Sequence, residues 1–234
     1  MNDVFCVLSA INTQYGSFTY TQRFEQLLGT IESIKKHSSD PDIFLVDISF
    51  ESLLQKDIDK LKSLVTHVGL LHQHPFMRHV KSIDHSNDTN LFQPKTVGEI
   101  IGMQNILRAV KSHGKEYRRV FKLSGRYMLN DKFHDHDYDV LSDKVIVSTK
   151  QRWHGRDHYI LRLWSFDHKD LDKMITMFDT IYNHTLARLT KDHCFDIVEY
   201  CLYHFLDKSG LPIHEVETLG VEGYYGQNAH WTSD

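Results

Sequence analysis

Short β-rich apolar runs alternate with segments of helical period through the first half of the chain, and this constrains the fold more than any other feature. Asp3 to Ala10 is almost wholly apolar, as in a strand covered on both faces. Phe24, Leu27, Leu28, Ile31 and Ile34 then recur at helical spacing. Thr19 and Gln22 precede them in the spacing of a capping box. Asp40-Pro41-Asp42 breaks that helix, and Ile43 to Val46 forms a second strand ending at Asp47. Leu53, Leu54, Ile58, Leu61 and Leu64 mark a second helix, and Thr66 to Leu71 a third strand.

Residues 72–95 lack periodicity and read as a long polar loop. Thr96 and Glu99 have capping-box spacing before a helix whose apolar face is Val97, Ile100, Ile101, Leu107 and Val110. Tyr117 to Leu123 is the next strand, with Ser124-Gly125-Arg126-Tyr127 at its end. Residues 131–139 read as a polar loop. Val145 to Ser148 and Tyr159 to Phe166 read as an antiparallel pair enclosing Arg152 to Asp157. Two further helices carry Leu171 to Ile181 and Phe195 to Leu206, and the tail from Gly220 to Asp234 has no period. The expected fold is α/β, a Rossmann-type, mainly parallel sheet flanked by helices, with antiparallel additions in the C-terminal half. A single domain over residues 1–234 is expected.

Composition removes several function classes. The 27 basic and 31 acidic residues lack the cationic excess of a non-specific nucleic-acid binder. No apolar stretch reaches the length of a transmembrane helix. Met1-Asn2-Asp3 lacks the positive charge of a signal peptide, so the expected location is the cytoplasm. Cys6, Cys194 and Cys201 do not make a disulfide framework and read as core residues.

Parallel sheets bind ligands outside the carboxyl ends of their strands. This points to Ser9 to Gly16 after the first strand, Asp47 to Phe50 after the second, and Ser124 to Tyr127 after the fourth as the edges of a site. Gly permits close backbone approach, and Arg binds phosphate oxygens in a bidentate way. A tight turn with a solvated Arg is the competing reading.

Phe121-Lys122-Leu123-Ser124-Gly125-Arg126-Tyr127-Met128-Leu129 resembles the K-[IL]-S-G-R-Y-x-L segment of bacterial and viral glycosyltransferase-like proteins, some of them grouped with lipopolysaccharide-synthesis proteins of the WavE type. The strand–helix–strand around Arg23, Thr30, Ser33 and Asp47, the Lys95-Thr96-x-x-Glu99 helix start and the ending Leu219-Gly220-Val221-Glu222-Gly223 resemble the same group. The resemblance implies a GT-A-like glycosyltransferase. Residues 1–130 would bind a nucleotide-sugar donor, and residues 131–234 would supply the acceptor side and a C-terminal lid. Ser9, Ala10 and Asn12 would border the nucleotide and Asp47 its ribose or base, while Lys122, Ser124, Gly125 and Arg126 would hold the diphosphate. GT-A enzymes usually carry Asp-x-Asp at the strand end where Ser124-Gly125-Arg126 stands here. Either cationic side chains replace the Mn or Mg, or the metal is held elsewhere, or the donor differs.

Asp135 and Asp137 form an Asp-x-Asp in the later loop and are the oxygen-ligand candidates for Mn or Mg, against the reading of a solvated acidic loop. His72 and His74, with His67 and His79 nearby, are a zinc candidate lacking a standard spacing. Glu199 is the candidate general base for the acceptor hydroxyl, with Asp196 second and Asp192 beside them. The competing reading is a helix start that complements its own dipole. Trp153, Arg156 and Arg162 suit an acceptor wall, and His230 is placed by the resemblance near donor phosphates or a metal. A non-catalytic nucleotide-sugar or glycan binder and a nucleotidyltransferase are the alternative readings.

Overall fold

The computed structural model describes residues 2–13, 16–82, 92–192, 196–224 and 230–234. Its centre is a seven-stranded sheet of β1 (Val4–Ser9), β2 (Asp42–Asp47), β3 (His67–Leu70), β4 (Arg119–Ser124), β6 (Val145–Ser148), β9 (Leu163–Asp167) and β10 (Ile213–Val216). The spatial order is β3-β2-β1-β4-β9-β6-β10. β1 is parallel to β2 and β4, β2 to β3, and β6 to β10. β9 is antiparallel to both its neighbours. The fold is therefore α/β, with one reversed strand in an otherwise parallel sheet. A second sheet joins β5 (Tyr127–Leu129), β11 (Val221–Tyr224) and β12 (Trp231–Ser233), and β7 (Gln151–Trp153) pairs with β8 (Arg156–His158) as a hairpin.

Helices cover both faces of the large sheet. Val4, Cys6, Leu8, Phe44, Val46, Trp164 and Phe166 pack against α4 (Phe92–His113), α5 (Leu171–Asp192) and α6 (Val198–Ser209). Phe5, Val7, Ile43, Leu45, Phe121 and Leu123 pack against α1 (Tyr20–His37), α2 (Gln55–Leu64) and the second sheet. A stack of Phe5 on Phe121, centroids 4.8 Å apart, anchors this second face, with Phe133 and Tyr138 edge-on to Phe121. Each such aromatic pair adds about 1 kcal/mol beyond its burial. Cys6 and Cys201 are buried thiols, as expected, while Cys194 lies outside the described residues.

Several boundaries differ from those read in the sequence. α3 (Pro75–Ser82) occupies part of the expected loop, with Pro75 at its first position, where a missing N–H costs nothing. α4 starts at Phe92, so Thr96 lies inside the helix and is buried rather than capping it. Pro94 falls in that first turn, where proline is tolerated. The Thr19–Gln22 capping box is present at α1. Residues 159–162 are not a strand, and the turn before them forms the β7–β8 hairpin. The tail is not irregular: β11 and β12 pair with each other and with β5.

Charged groups close the amino edge of the sheet. Arg118 bonds to both carboxylate oxygens of Asp3, by Nε at 2.9 Å and by Nη2, and also to Asp139. Asp135 lies 3.7 Å from the same guanidinium. Next to it, Arg119 is 2 % exposed, and burial pushes its guanidinium down to about 10. Its donors go to Ser165 Oγ and to the carbonyls of Leu141, Ser142 and Lys144, which fastens the Asp135–Leu141 turn of 3₁₀-helix to β4 and β9.

Burial raises the Asp3 carboxyl above its ordinary value against the opposing pull of Arg118. The folded protein therefore takes up this proton more readily than the unfolded chain, and the charge costs stability above the raised value. Arg118→Ala should lose about 2 kcal/mol at neutral pH, less than a fully buried pair because Arg118 is part exposed. The gap to wild type in urea denaturation should narrow as the pH falls through the carboxylate range, where a protonated Asp3 no longer needs its partner. An equal gap at both pH values would contradict this account.

Candidate functional site

Register brings the carboxyl ends of three strands level. Ser9 stands opposite Asp47, and Leu8 opposite Ser124. The chain leaves β4 through Gly125, whose N–H donates to the Leu8 carbonyl at 2.7 Å. A Cβ at Gly125 would lie 3.0 Å from that carbonyl oxygen and 3.1 Å from Ser9 Cβ and from Leu27 Cδ1. Glycine lets the turn lie this close to β1 without displacing these neighbours. The turn then delivers Arg126 to the mouth of a cleft lined by Ser9, Ala10, Ile11, Arg23, Gln26 and Arg126.

Asp47 builds the floor of this edge. It is 2 % exposed. Its Oδ2 accepts from Ser9 Oγ at 2.7 Å and from the Ile11 N–H at 3.1 Å, and its Oδ1 accepts from the Ser49 N–H at 3.0 Å. Burial raises its carboxyl above the ordinary value, although these donors work against the rise. Both oxygens of Asp47, expected at a ribose or base, accept from its own chain. Asn12 is similarly engaged, donating from its backbone N–H to Ser49 Oγ at 2.7 Å and from its amide to the Ser52 carbonyl at 2.8 Å.

The Lys122-to-Arg126 segment divides between the two faces of the sheet. Lys122 is buried, and its Nζ donates to Ser124 Oγ at 2.8 Å and the Leu161 carbonyl at 2.7 Å. Ser124 Oγ donates to the same carbonyl at 3.2 Å. Lys122 and Ser124 thus fasten β4 to the segment before β9. Arg126 lies with its guanidinium 5.5 Å from the Tyr127 ring centroid, and its Nε is buried with no hydrogen-bond partner among the described residues.

Arg23, in the first turn of α1, is a site residue to which sequence reading assigned no role. It donates to the Phe18 carbonyl at 3.1 Å and the Ala10 carbonyl at 3.3 Å. Burial lowers its guanidinium below the ordinary value, and the charge of Arg126 lowers it further. Two like charges therefore share one cleft. The available signal was its position: the first helix after the first strand begins at the ligand edge of such a sheet. Arg162, expected at an acceptor wall, is buried with its guanidinium 5.4 Å from the ring centroid of Tyr127, the ring that Arg126 also approaches.

The hairpin and the start of α6 form a second cluster. β6 and β10 run parallel to β1, so the connection after β6 and the first turn of α6 both lie at the carboxyl edge. Arg156 donates to Asp196 at 2.6 Å and lies 4.3 Å from the Tyr200 ring centroid. Tyr200 Oη donates to the Trp153 carbonyl at 3.0 Å, and His184 lies 3.5 Å from Asp196. Burial disfavours the Asp196 charge, but Arg156 and His184 outweigh it and hold the carboxyl below its ordinary value. A carboxylate so stabilised takes up a proton less readily than a free one. Glu199 lies in the first turn of α6, partly buried, and Trp153 is half-exposed. Asp192 closes α5.

The acidic loop does not join either cluster. Asp135 faces Arg118 at the amino edge, and Asp137 pairs with His136 at 3.1 Å. Asp135, the first of the two candidate metal ligands, thus lies at the edge of the sheet opposite to Arg126. The histidine candidate also disperses: His67 stacks on Phe44, His79 on Phe76, and His74 Nδ1 accepts from the Phe76 N–H at 3.3 Å. No group of three or more metal-ligating side chains occurs among the described residues. His230 is exposed just before β12, and residues 225–229 of the expected lid lie outside the described residues.

No protein-family model matches the chain, and no curated protein matches it. Among solved structures, it is similar to the glycosyltransferase GlyE of Streptococcus pneumoniae TIGR4, with TM-score 0.48 and 9 % identity. The apo form of GlyE gives TM-score 0.45 and 12 % identity. Both cover 92 % of this chain, and this chain spans only 45 % of theirs. A likeness this distant carries no argument about chemistry, which rests on the residues above. No helix among the described residues is long and apolar enough to cross a membrane.

Gly125→Ala tests the close approach at this edge. Leu8 O is backbone and cannot move aside, so the substitution should cost about 1–2 kcal/mol by overpacking. A melting temperature equal to wild type would show that the turn has room to spare.

Proposed function

We propose that this protein is a GT-A-like glycosyltransferase that moves a sugar from a nucleotide-sugar to a hydroxyl acceptor in surface glycan or polysaccharide synthesis. One observation carries the reading. Arg23 and Arg126 bring like charges to one cleft at the carboxyl edge, and Arg126 Nε is buried there without a hydrogen-bond partner among the described residues. Such a pair gains most from an anion with several oxygens, and a diphosphate fits that need. The resemblance of Lys122 to Leu129 to glycosyltransferase-like proteins supports the same donor.

In this reading Arg23 and Arg126 neutralise the donor diphosphate, with the backbone of Ser9, Ala10 and Ile11 along its side. Charge opposite the leaving diphosphate stabilises the transition state more than the ground state, because negative charge grows there as the glycosidic bond breaks. Arg162 adds positive charge behind Tyr127. Glu199 takes the acceptor proton, and Trp153 and Arg156 form the acceptor side. Mn or Mg, if used, would be held by residues other than Asp135 and Asp137. A non-catalytic binder is the second reading, favoured by Asp196, whose ion pair with Arg156 withdraws it from base chemistry.

Thermal shift with nucleoside diphosphates and nucleotide-sugars, each in EDTA, Mg or Mn, tests the donor. One nucleotide family should raise the melting temperature. Arg126→Ala should weaken that ligand about 10- to 100-fold, the loss of a charge-assisted contact, and leave the unliganded melting temperature near wild type. Unchanged affinity in the folded variant would remove Arg126 from the site.

Glu199→Gln should lower turnover about 100-fold with donor affinity intact. Turnover at the wild-type level would place the base elsewhere, and absence of turnover in the wild type with donor binding retained would favour the second reading.

A further inference from the structure

Three aromatic rings, those of Phe18, Tyr224 and Trp231, form one contiguous cluster. The Phe18 ring stands edge-on to Tyr224 with centroids 5.7 Å apart, and Tyr224 stands edge-on to Trp231 at 4.7 Å and 74°. Tyr224 is 37 % exposed and Trp231 40 %. They are two of the five large apolar side chains exposed among the described residues, and the two that touch each other. Exposed aromatic surface costs free energy in water unless something uses it.

The ledge is tied to the cationic groups at both ends. Arg23 Nε donates to the carbonyl of Phe18. Gly223, the residue before Tyr224, pairs with Tyr127 and lies so close to the turn that a Cβ there would fall 2.4 Å from the Arg126 carbonyl oxygen. Any side chain at 223 would push β11, and Tyr224 with it, away from Arg126. The backbone of β11 is therefore held against the turn that carries Arg126, and Tyr224 is the next residue along it.

We propose that Tyr224 and Trp231 form the platform for the donor's sugar, a pyranose carried on the distal phosphate of the diphosphate that Arg23 and Arg126 hold. This rests on the donor reading above. Two rings at 74° make an open corner rather than a parallel slot. A flat base fits best between parallel faces. A pyranose has one face of C–H groups and an outer rim of hydroxyls, so it lays the first on a single aromatic face and keeps the second in water. The contact is apolar and uncharged, so it adds to affinity independently of the arginines.

The test compares each of the diphosphates UDP, GDP, ADP, CDP and TDP with a sugar ester of the same nucleotide, by titration calorimetry on the whole chain. Wild type should bind one nucleotide-sugar more tightly than its parent diphosphate. Trp231→Ala and Tyr224→Ala should each weaken the nucleotide-sugar by about tenfold, the size of one ring stacked on an aromatic side chain, and leave the parent diphosphate unchanged. Trp231→Phe keeps a ring and should keep most of the gain, which separates stacking from damage to β12. Arg126→Ala should weaken both ligands alike. A sugar gain that survives Trp231→Ala and Tyr224→Ala would overturn the platform while leaving the donor reading intact. A parent diphosphate weakened as much as its sugar ester would assign the ledge to the base and overturn the proposal. No binding of any diphosphate by wild type would overturn the donor reading, and the platform with it.

Discussion

The buried carboxylate of Asp47 holds the working edge together. It accepts from the β1 end, from the loop after β1 and from the loop after β2, so the two strand ends move as one piece. The backbone bond from Gly125 to Leu8 adds the end of β4 to that piece. Everything that reaches the cleft is hung on this three-strand edge. Ala10 receives Arg23, Gly125 positions Arg126, and Gly223 packs against Arg126 in turn. A charged group without a path to solvent is costly, and donors supplied by the segments it positions offset part of that cost.

Two clusters share the carboxyl edge with different electrostatics. Around Arg23 and Arg126, positive charge exceeds what the neighbouring carboxylate answers, since Asp47 is turned inward. Around Asp196, charge is balanced by Arg156, with His184 3.5 Å away. The first arrangement favours an anionic ligand; the second favours a fixed hairpin position. The difference follows from which carboxylates are satisfied internally.

The parallel half of the fold was legible because its strands are buried on both faces and its helices on one, and these patterns differ in period. The strand-end rule then found Ser9, Asp47 and Arg126. It could not say which of them faces outward, because that depends on partners such as Ile11 N–H and Leu161 O that lie far away in sequence. β5, β11 and β12 span three or four residues each, too few for alternation to show, and β5 and β11 are separated by most of the C-terminal half. The acidic run at 135–139 was legible as charge but not as location. Its attachment to Arg118 and Arg119 places it at the opposite edge, a fact of chain path rather than composition.

The reversed direction of β9 has a consequence for how such a chain can change. Parallel neighbours must be joined by a crossover that traverses the whole layer, and its length is bound by the sheet. β6 leaves and β9 enters at the same edge, so residues 149–162 make a return that never leaves the rim. The β7–β8 hairpin within that return is an appendage fastened mainly to α6. It can be lengthened, shortened or exchanged without altering the pairing of any strand in the large sheet. The rim is therefore the part of this architecture where new surface can be tried at least risk to the frame that holds Arg126.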